Sequence, residues 1–216
     1  IQAQAGEAGY QAKFGAEFEW FVFHKNSEDT SANKYQNMTP LSSGMFGYSM
    51  LRTSEFQELT HRILSDLTAA KLPLEGLHTE TGPGVYEAAI SYCDALEMAD
   101  QSSLFKLGIK QIANDFDLMA SFMAKWSPLY PGCSGHLHQS LWDEKGQNMF
   151  YSSDNEFGLS TVAQQYLAGQ LYCLPFILPM FAPTVNSYRR YVAGSWAPTT
   201  LSWGVDNRTT AIRVVP

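Results

Sequence analysis

From Phe14 to Phe23 the chain alternates between two kinds of face. Phe14, Ala16, Phe18, Trp20 and Val22 fall on one side of an extended strand, and Glu17, Glu19, Phe21 and Phe23 on the other. At a rise of about 3.3 Å per residue the two carboxylates stand about 7 Å apart, on a face that turns aromatic two residues later. They therefore sit at the edge of a covered region, where a buried charge requires a partner. Further along, Phe56, Leu59, Ile63, Leu64 and Leu67 recur at helical spacing behind Ser54 and Gln57, which predicts a helix opened by a capping box. Residues 72–91, "LPLEGLHTETGPGVYEAAIS", predict two strands joined around Gly82-Pro83-Gly84. Asp94 then opens a long helix with Ala95, Met98, Ser102, Phe105, Ile109, Ile112 and Phe116 along one side. "LMASFMAKW" and "SGHLHQSLW" predict strands, residues 159–173 a helix, and the segments near 199–203 and 210–215 late strands. Residues 24–48 are polar, rich in turn formers and without period, which predicts a loop. Hairpin-like strands mixed with helices, with no internal repeat or linker, predict an α+β fold with a largely antiparallel sheet.

Composition narrows the class. The 216 residues are 45% hydrophobic and 16% charged, enough for one domain with a real core. A formal charge of −7 with no basic cluster argues against nucleic acid as a partner. Cys93, Cys133 and Cys173 form no CxxC pair and leave one over, which suits a reducing cytoplasm. The most apolar stretch, "LYCLPFILPMFAP", is too short to span a bilayer and holds three prolines, so no membrane span is expected. The chain starts at Ile1 without a methionine, which leads us to expect further sequence upstream.

The candidate chemistry is acidic. Glu80 and Glu87 flank the Gly-Pro-Gly turn, and a hairpin at about 5 Å strand separation lets both face one place. Taken alone, a glutamate beside a turn is ordinarily just solvated. "GHLHQS" adds His136 and His138 on one strand face, with Ser140 following; a lone histidine is more often a hydrogen-bonded core residue than a ligand. Four carboxylates with one or two imidazoles make an oxygen-rich donor set, which favours Mg²⁺ or Mn²⁺ over Zn²⁺. Two such cations would balance four carboxylates, and nucleotide phosphates commonly complete their coordination. Arg189, Arg190, Arg208 and Arg213 lie near an apolar carboxy-terminal strand; arginine suits bidentate contacts to carboxylate and phosphate, although a single arginine is more often a surface cation. The residues point to a cation-dependent site for an anionic, phosphorylated substrate.

In this order and spacing, "GAEFEWFVF", "LEGLHTETGPGVYE", "GHLHQSLW", "PTVNSYRR" and "DNRTTAIRV" resemble the catalytic domain of the glutamine synthetase family. The resemblance covers nearly the whole chain and implies a largely antiparallel, curved sheet flanked by helices. It assigns Glu19, Glu80 and Glu87 to one cation, and Glu17 and His136 to another. Glu75, His138, Ser140 and Arg213 fall at nucleotide positions. Gly132 falls where the family binds its amino-acid substrate, and Arg190 where it grips a substrate carboxylate. Arg208 and Arg213 fall where the family steadies the transferring phosphate. The implied reaction is ATP-dependent ligation of the glutamate γ-carboxylate to an amine through a γ-glutamyl phosphate, in a homo-oligomeric, dodecamer-like ring. Family members also carry an N-terminal β-grasp domain and a C-terminal part with the last metal ligand, so residues 1–216 are expected to be a fragment. Classical members place a glutamate that helps deprotonate ammonium where this chain has Trp196, within Gly194-Ser195-Trp196-Ala197-Pro198. "DNRT" and Trp196 resemble the branch that ligates glutamate to organic amines, such as polyamines. True glutamine synthesis from ammonia and a non-catalytic, lengsin-like role are the alternatives.

Overall fold

The structure, a computed structural model, describes residues 1–25, 34–35, 38–155 and 157–215. In chain order its elements are α1 (Gln2–Glu7), β1 (Gln11–His24), α2 (Met50–Glu55), α3 (Gln57–Ala69), β2 (Leu74–Thr79), β3 (Val85–Asp94) and α4 (Ala95–Asp115). They are followed by β4 (Leu118–Ser121), β5 (Gly135–Trp142), α5 (Thr161–Phe181), α6 (Val185–Tyr188), β6 (Trp203–Val205) and β7 (Ile212–Val214). These residues form two compact units, one of residues 14–138 and one of residues 1–13 with 139–216.

The unit of residues 14–138 is built on a sheet in which β2, β3, β1 and β4 lie side by side and β5 also pairs with β1. β1 and β4 are antiparallel, from Phe21 opposite Ser121 to His24 opposite Leu118, and β2 and β3 form an antiparallel hairpin. The alternation of β1 sorts its side chains onto two sides. Ala16, Trp20 and Val22 are buried with Tyr86, Ala88 and Ile90 of β3, under Leu59, Ile63 and Leu67 of α3 and Phe105, Ile109 and Ile112 of α4. Each of the buried Val, Leu, Ile and Phe side chains contributes about 1.5–3 kcal/mol on leaving water. Phe21 and Phe23 face the other way, into a smaller cluster with Val85 and Cys133. The helices thus cover one face of the sheet, and the carboxylates of β1 stand on the other, beside this cluster.

Gly84 ties the hairpin to β1. Its carbonyl accepts from Val22 N–H at 2.8 Å, its φ is +67°, and an added Cβ would lie 2.5 Å from the Val22 carbonyl oxygen. Only glycine meets both the left-handed backbone and the close approach.

The predicted elements hold with four differences. The helix expected behind Ser54 is two helices, split at Phe56; Ser54 lies inside α2, where its Oγ donates to the Met50 carbonyl. The cap is Ser49, whose Oγ accepts from Arg52 N–H at 3.3 Å, and Leu64 is exposed, because the buried stripe of α3 runs through Leu59, Thr60, Ile63 and Leu67. "LMASFMAKW" is a strand only through Ser121. The predicted loop 24–48 lies partly outside the described residues; within it Pro40 bridges Phe23, and Leu41 is buried.

The other two differences fall in the unit of residues 1–13 and 139–216. The helix expected over 159–173 runs on to Phe181 through Pro175 and Pro179. Each proline removes one N–H, yet the pattern resumes with Ala182 N–H donating to the Leu178 carbonyl at 2.8 Å. Near its start, α5 is fixed to the end of β5 by Tyr166 Oη and Gln170 Nε2, which both donate to Gln139 Oε1 at 2.6 and 2.8 Å. The late strands are Trp203–Val205 and Ile212–Val214, and they pair in parallel. Among the described residues, no helix is long and apolar enough to cross a membrane.

Candidate metal centre

The hairpin register decides which side chains of β2 and β3 share a face. His78 stands opposite Glu87, and Thr79 opposite Tyr86. Tyr86 enters the helix-covered core, so His78, Glu80 and Glu87 leave the other face, the one that carries Glu17 and Glu19. β5 brings His136 and His138 to β1. An added Cβ on Gly135 would lie 2.6 Å from the Glu17 carbonyl oxygen, so the absence of a side chain there permits the approach.

Two triads result. One oxygen or nitrogen from each of Glu17, Glu87 and His136 lies within 4.8 Å of the others, and the same holds for His78, Glu80 and Glu87. Glu87 belongs to both. Glu17 receives an imidazole on each oxygen, His136 Nδ1 at 2.7 Å and His138 Nε2 at 3.1 Å. Glu19 accepts from Ser134 N–H and Ser134 Oγ, both at 3.0 Å, and joins neither triad. Glu80 Oε2 accepts from Thr81 N–H at 2.6 Å.

The electrostatics expose the strain of this arrangement. Hydrogen bonds from His136 and His138 hold the Glu17 carboxyl well below the usual carboxylate range despite its burial. The His136 imidazole is raised, chiefly by its bond to Glu17. Glu87 is 8% exposed. Burial first, then repulsion from Glu19, Glu17 and Glu80, pushes its carboxyl up to about 7. Four carboxylates crowd together with too little positive charge among them, and a donor set of this charge and oxygen content fits two divalent cations.

A pH dependence follows. Between its reference value of 4.5 and about 7, Glu87 holds a proton in the folded chain that the unfolded chain has released. The folded state binds more protons there, so stability falls as pH rises through that window. His136, also raised, acts in the same sense. Glu17 acts oppositely, its stabilisation being lost as pH falls below 4.5. Denaturant unfolding in EDTA is expected to show maximal stability at about pH 5 and a decline on the order of 2 kcal/mol by about pH 7.5. Saturating Mn²⁺ is expected to remove the decline, because the cation replaces the proton; a flat profile in EDTA would contradict this electrostatic picture.

The whole chain, residues 1–216, matches the family described as glutamine synthetase, catalytic domain. This chain belongs to the glutamine synthetase family. Type-1 glutamine synthetase 2 of Dictyostelium discoideum is 51% identical over 202 residues, covering 93% of this chain and 39% of that protein. Gamma-glutamylethanolamide synthetase GlnA4 of Streptomyces coelicolor is 39% identical over 207 residues, covering 96% of this chain and 44% of that one. Among solved structures, the GmaS/ADP complex superposes with a TM-score of 0.83 at 28% identity, over 98% of this chain and 49% of that one. The chain thus spans less than half the length of the curated relatives it matches.

The remaining positions that glutamine synthetase resemblance singles out divide between the two units. In the unit of residues 14–138, Glu75 is exposed where the β2–β3 register shifts between Leu74 and Gly76. Gly132 is buried next to Cys133. In the other unit, Ser140 Oγ accepts from Trp142 Nε1 at 2.9 Å, Arg208 is exposed, and Arg213 Nε lies 3.9 Å from Asp206 Oδ1. Arg190 Nη1 donates to the Ser195 carbonyl and, at 3.2 Å, to Ser195 Oγ, pinning the turn that leads into Trp196. Among the described residues, His78 is the member of the two triads that motif reading overlooked; its place two residues before Glu80 on a strand was the signal available.

Proposed function

We propose that this chain is the nucleotide- and cation-handling part of an ATP-dependent glutamate–amine ligase whose preferred acceptor is an organic amine. The γ-carboxylate of glutamate attacks the terminal phosphate of ATP, releasing ADP, and the amine then displaces phosphate from the γ-glutamyl phosphate and loses a proton as the amide forms. The observation that supports this best is the crowding of Glu17, Glu19, Glu80 and Glu87, which leaves Glu87 protonated to about pH 7 unless a cation takes the proton's place. Mg²⁺ or Mn²⁺ at two or more positions, when bound, supplies positive charge to phosphate oxygens.

The chain's own residues hold and orient. Glu17 and His136 serve one cation, and Glu19, Glu80 and Glu87 the other. Glu75, His138, Ser140 and Arg213 hold the nucleotide, Gly132 and Arg190 hold glutamate, and Arg208 with Arg213 neutralises the phosphoryl group in flight. Trp196 forms an apolar wall for the acceptor. The functional unit is a cytoplasmic homo-oligomeric ring, because closed symmetry lets every subunit receive the same completing contact from a neighbour.

A second reading, glutamine synthesis from ammonia, is favoured by the 51% identity to a relative named as a glutamine synthetase. A non-catalytic, lengsin-like role fits less well, since a purely structural protein gains nothing from crowded carboxylates. The deciding experiment measures ATP hydrolysis by the full-length protein with glutamate and a panel of amines, ammonia included. An organic amine is expected to give the highest kcat/KM. Ammonia ranking first would select the second reading, and no turnover with any acceptor would select the third.

A further inference from the structure

We propose that His78 is a nitrogen ligand of the cation held by Glu80 and Glu87, so that each of the two cation positions carries one imidazole. This rests on the two-cation reading above and goes beyond it, because the resemblance assigns that position carboxylates alone. The register sets His78 opposite Glu87 and two residues before Glu80, so the three side chains leave one face of the hairpin. His78 Nε2 stands 3.5 Å from Glu87 Oε2, and the three ligand atoms of the triad lie within 4.8 Å of one another. Donors about 2.1 Å from a common ion, in octahedral or tetrahedral array, sit about 3.0–3.5 Å apart. The spacing is long for a hydrogen bond and suits an ion between the groups.

The ring is also prepared for this role. Its Nδ1 lies 3.2 Å from the Thr79 carbonyl oxygen, which can only accept, so Nδ1 is the nitrogen placed to donate and Nε2 the one turned toward the carboxylates. A backbone carbonyl on the far nitrogen is the usual support of a metal-bound imidazole. Tyr48 stacks on the ring with centroids 4.5 Å apart and planes at 28°, and Tyr48 N–H is itself held by the same Thr79 carbonyl at 2.7 Å. Register, tautomer and ring plane are thus all fixed by neighbours outside the triad. A nitrogen added to the carboxylates of Glu19, Glu80 and Glu87 shifts the position toward Mn²⁺, since Mg²⁺ is held through oxygen.

The test titrates the full-length protein with Mn²⁺ alone and examines the bound ion by electron spin-echo modulation for nitrogen-14 coupling. Two bound ions are expected. His136→Gln should keep an imidazole coupling that disappears when His78→Gln is added. His78→Gln alone should weaken one Mn²⁺ site by at least about tenfold, and Mg²⁺ binding by less than about threefold. If two ions bind but His136→Gln alone abolishes the coupling, His78 is not a ligand and the two-cation reading survives. Coupling that persists in the double variant comes from another imidazole and equally overturns the inference. Failure of the unsubstituted protein to bind Mn²⁺ overturns the two-cation reading itself.

Discussion

Glu87→Gln is expected to lower glutamate-dependent ATP turnover of the full-length protein by about a thousandfold while making the cation-free protein more stable. Glu87 is the only residue common to both triads, so its loss weakens both cation positions together. Losing one group that offsets developing charge in a closed site commonly costs about a hundred- to a thousandfold, and two cation positions depend on this one. The stability change has the opposite sign for the same reason. In EDTA at about pH 8 the Glu87 carboxylate is buried against Glu17, Glu19 and Glu80, and a neutral isostere removes the cost of burying that charge and then the repulsion, together on the order of 1–2 kcal/mol. A group that raises activity and lowers stability is retained for what it does, whereas a packing residue would show both effects in one direction. Unchanged turnover, or a variant less stable in EDTA, would remove Glu87 from the role given to it.

Much of this centre was legible because it rests on strands, where a period of two is simple to follow. The alternation from Phe14 to Phe23 anticipated two apolar clusters on opposite sides and the carboxylates beside the smaller one. The Gly-Pro-Gly turn located the hairpin. What local pattern could not supply was register and long-range pairing. Glu80 and Glu87 were found as a spacing in sequence, and the same period of two puts His78 on the face of Glu80, but that His78 stands opposite Glu87 follows only from the register that sets Thr79 against Tyr86. The bond from Ser134 to Glu19 joins residues 115 positions apart and has no local signal at all.

The helical misreadings have equally specific causes. Ser54 and Gln57 have the right residue types for a capping box, but Ser49 lies one turn earlier, beside the Thr79 side chain that accepts from its N–H at 3.2 Å. A tertiary contact chose between two adequate caps. In α5, proline is a stop signal that the chain overrides twice, although the buried residues of the helix, Ala163 and Leu167, lie ahead of both prolines and do not themselves explain the continuation.

Trp196→Glu is expected to shift the kcat/KM ratio of an organic amine over ammonia by at least about tenfold toward ammonia. The indole is 71% exposed, with φ of +61°, a left-handed conformation that a bulky side chain adopts at a cost of order 1–3 kcal/mol. Two features hold the turn that imposes it: Gly194, at φ +78°, and the Arg190 guanidinium on Ser195. The simpler role, packing on the neighbouring aromatics, has little support, since Trp203 meets Phe157 at 6.1 Å and Tyr191 meets Tyr188 at 6.0 Å. A strained, exposed indole offers apolar surface to an amine with a hydrocarbon body and a π face to its ammonium, worth about 0.5–2 kcal/mol. A carboxylate at this position withdraws both and instead assists an ammonium ion in losing its proton. The change should appear in kcat for ammonia and in KM for the organic amine, because only the first gains help in the transition state. Trp196→Phe, which keeps an aromatic face, should retain the organic-amine preference. If the unsubstituted protein already uses ammonia best and neither variant alters the ranking, Trp196 is a surface residue of the turn and the acceptor is chosen elsewhere.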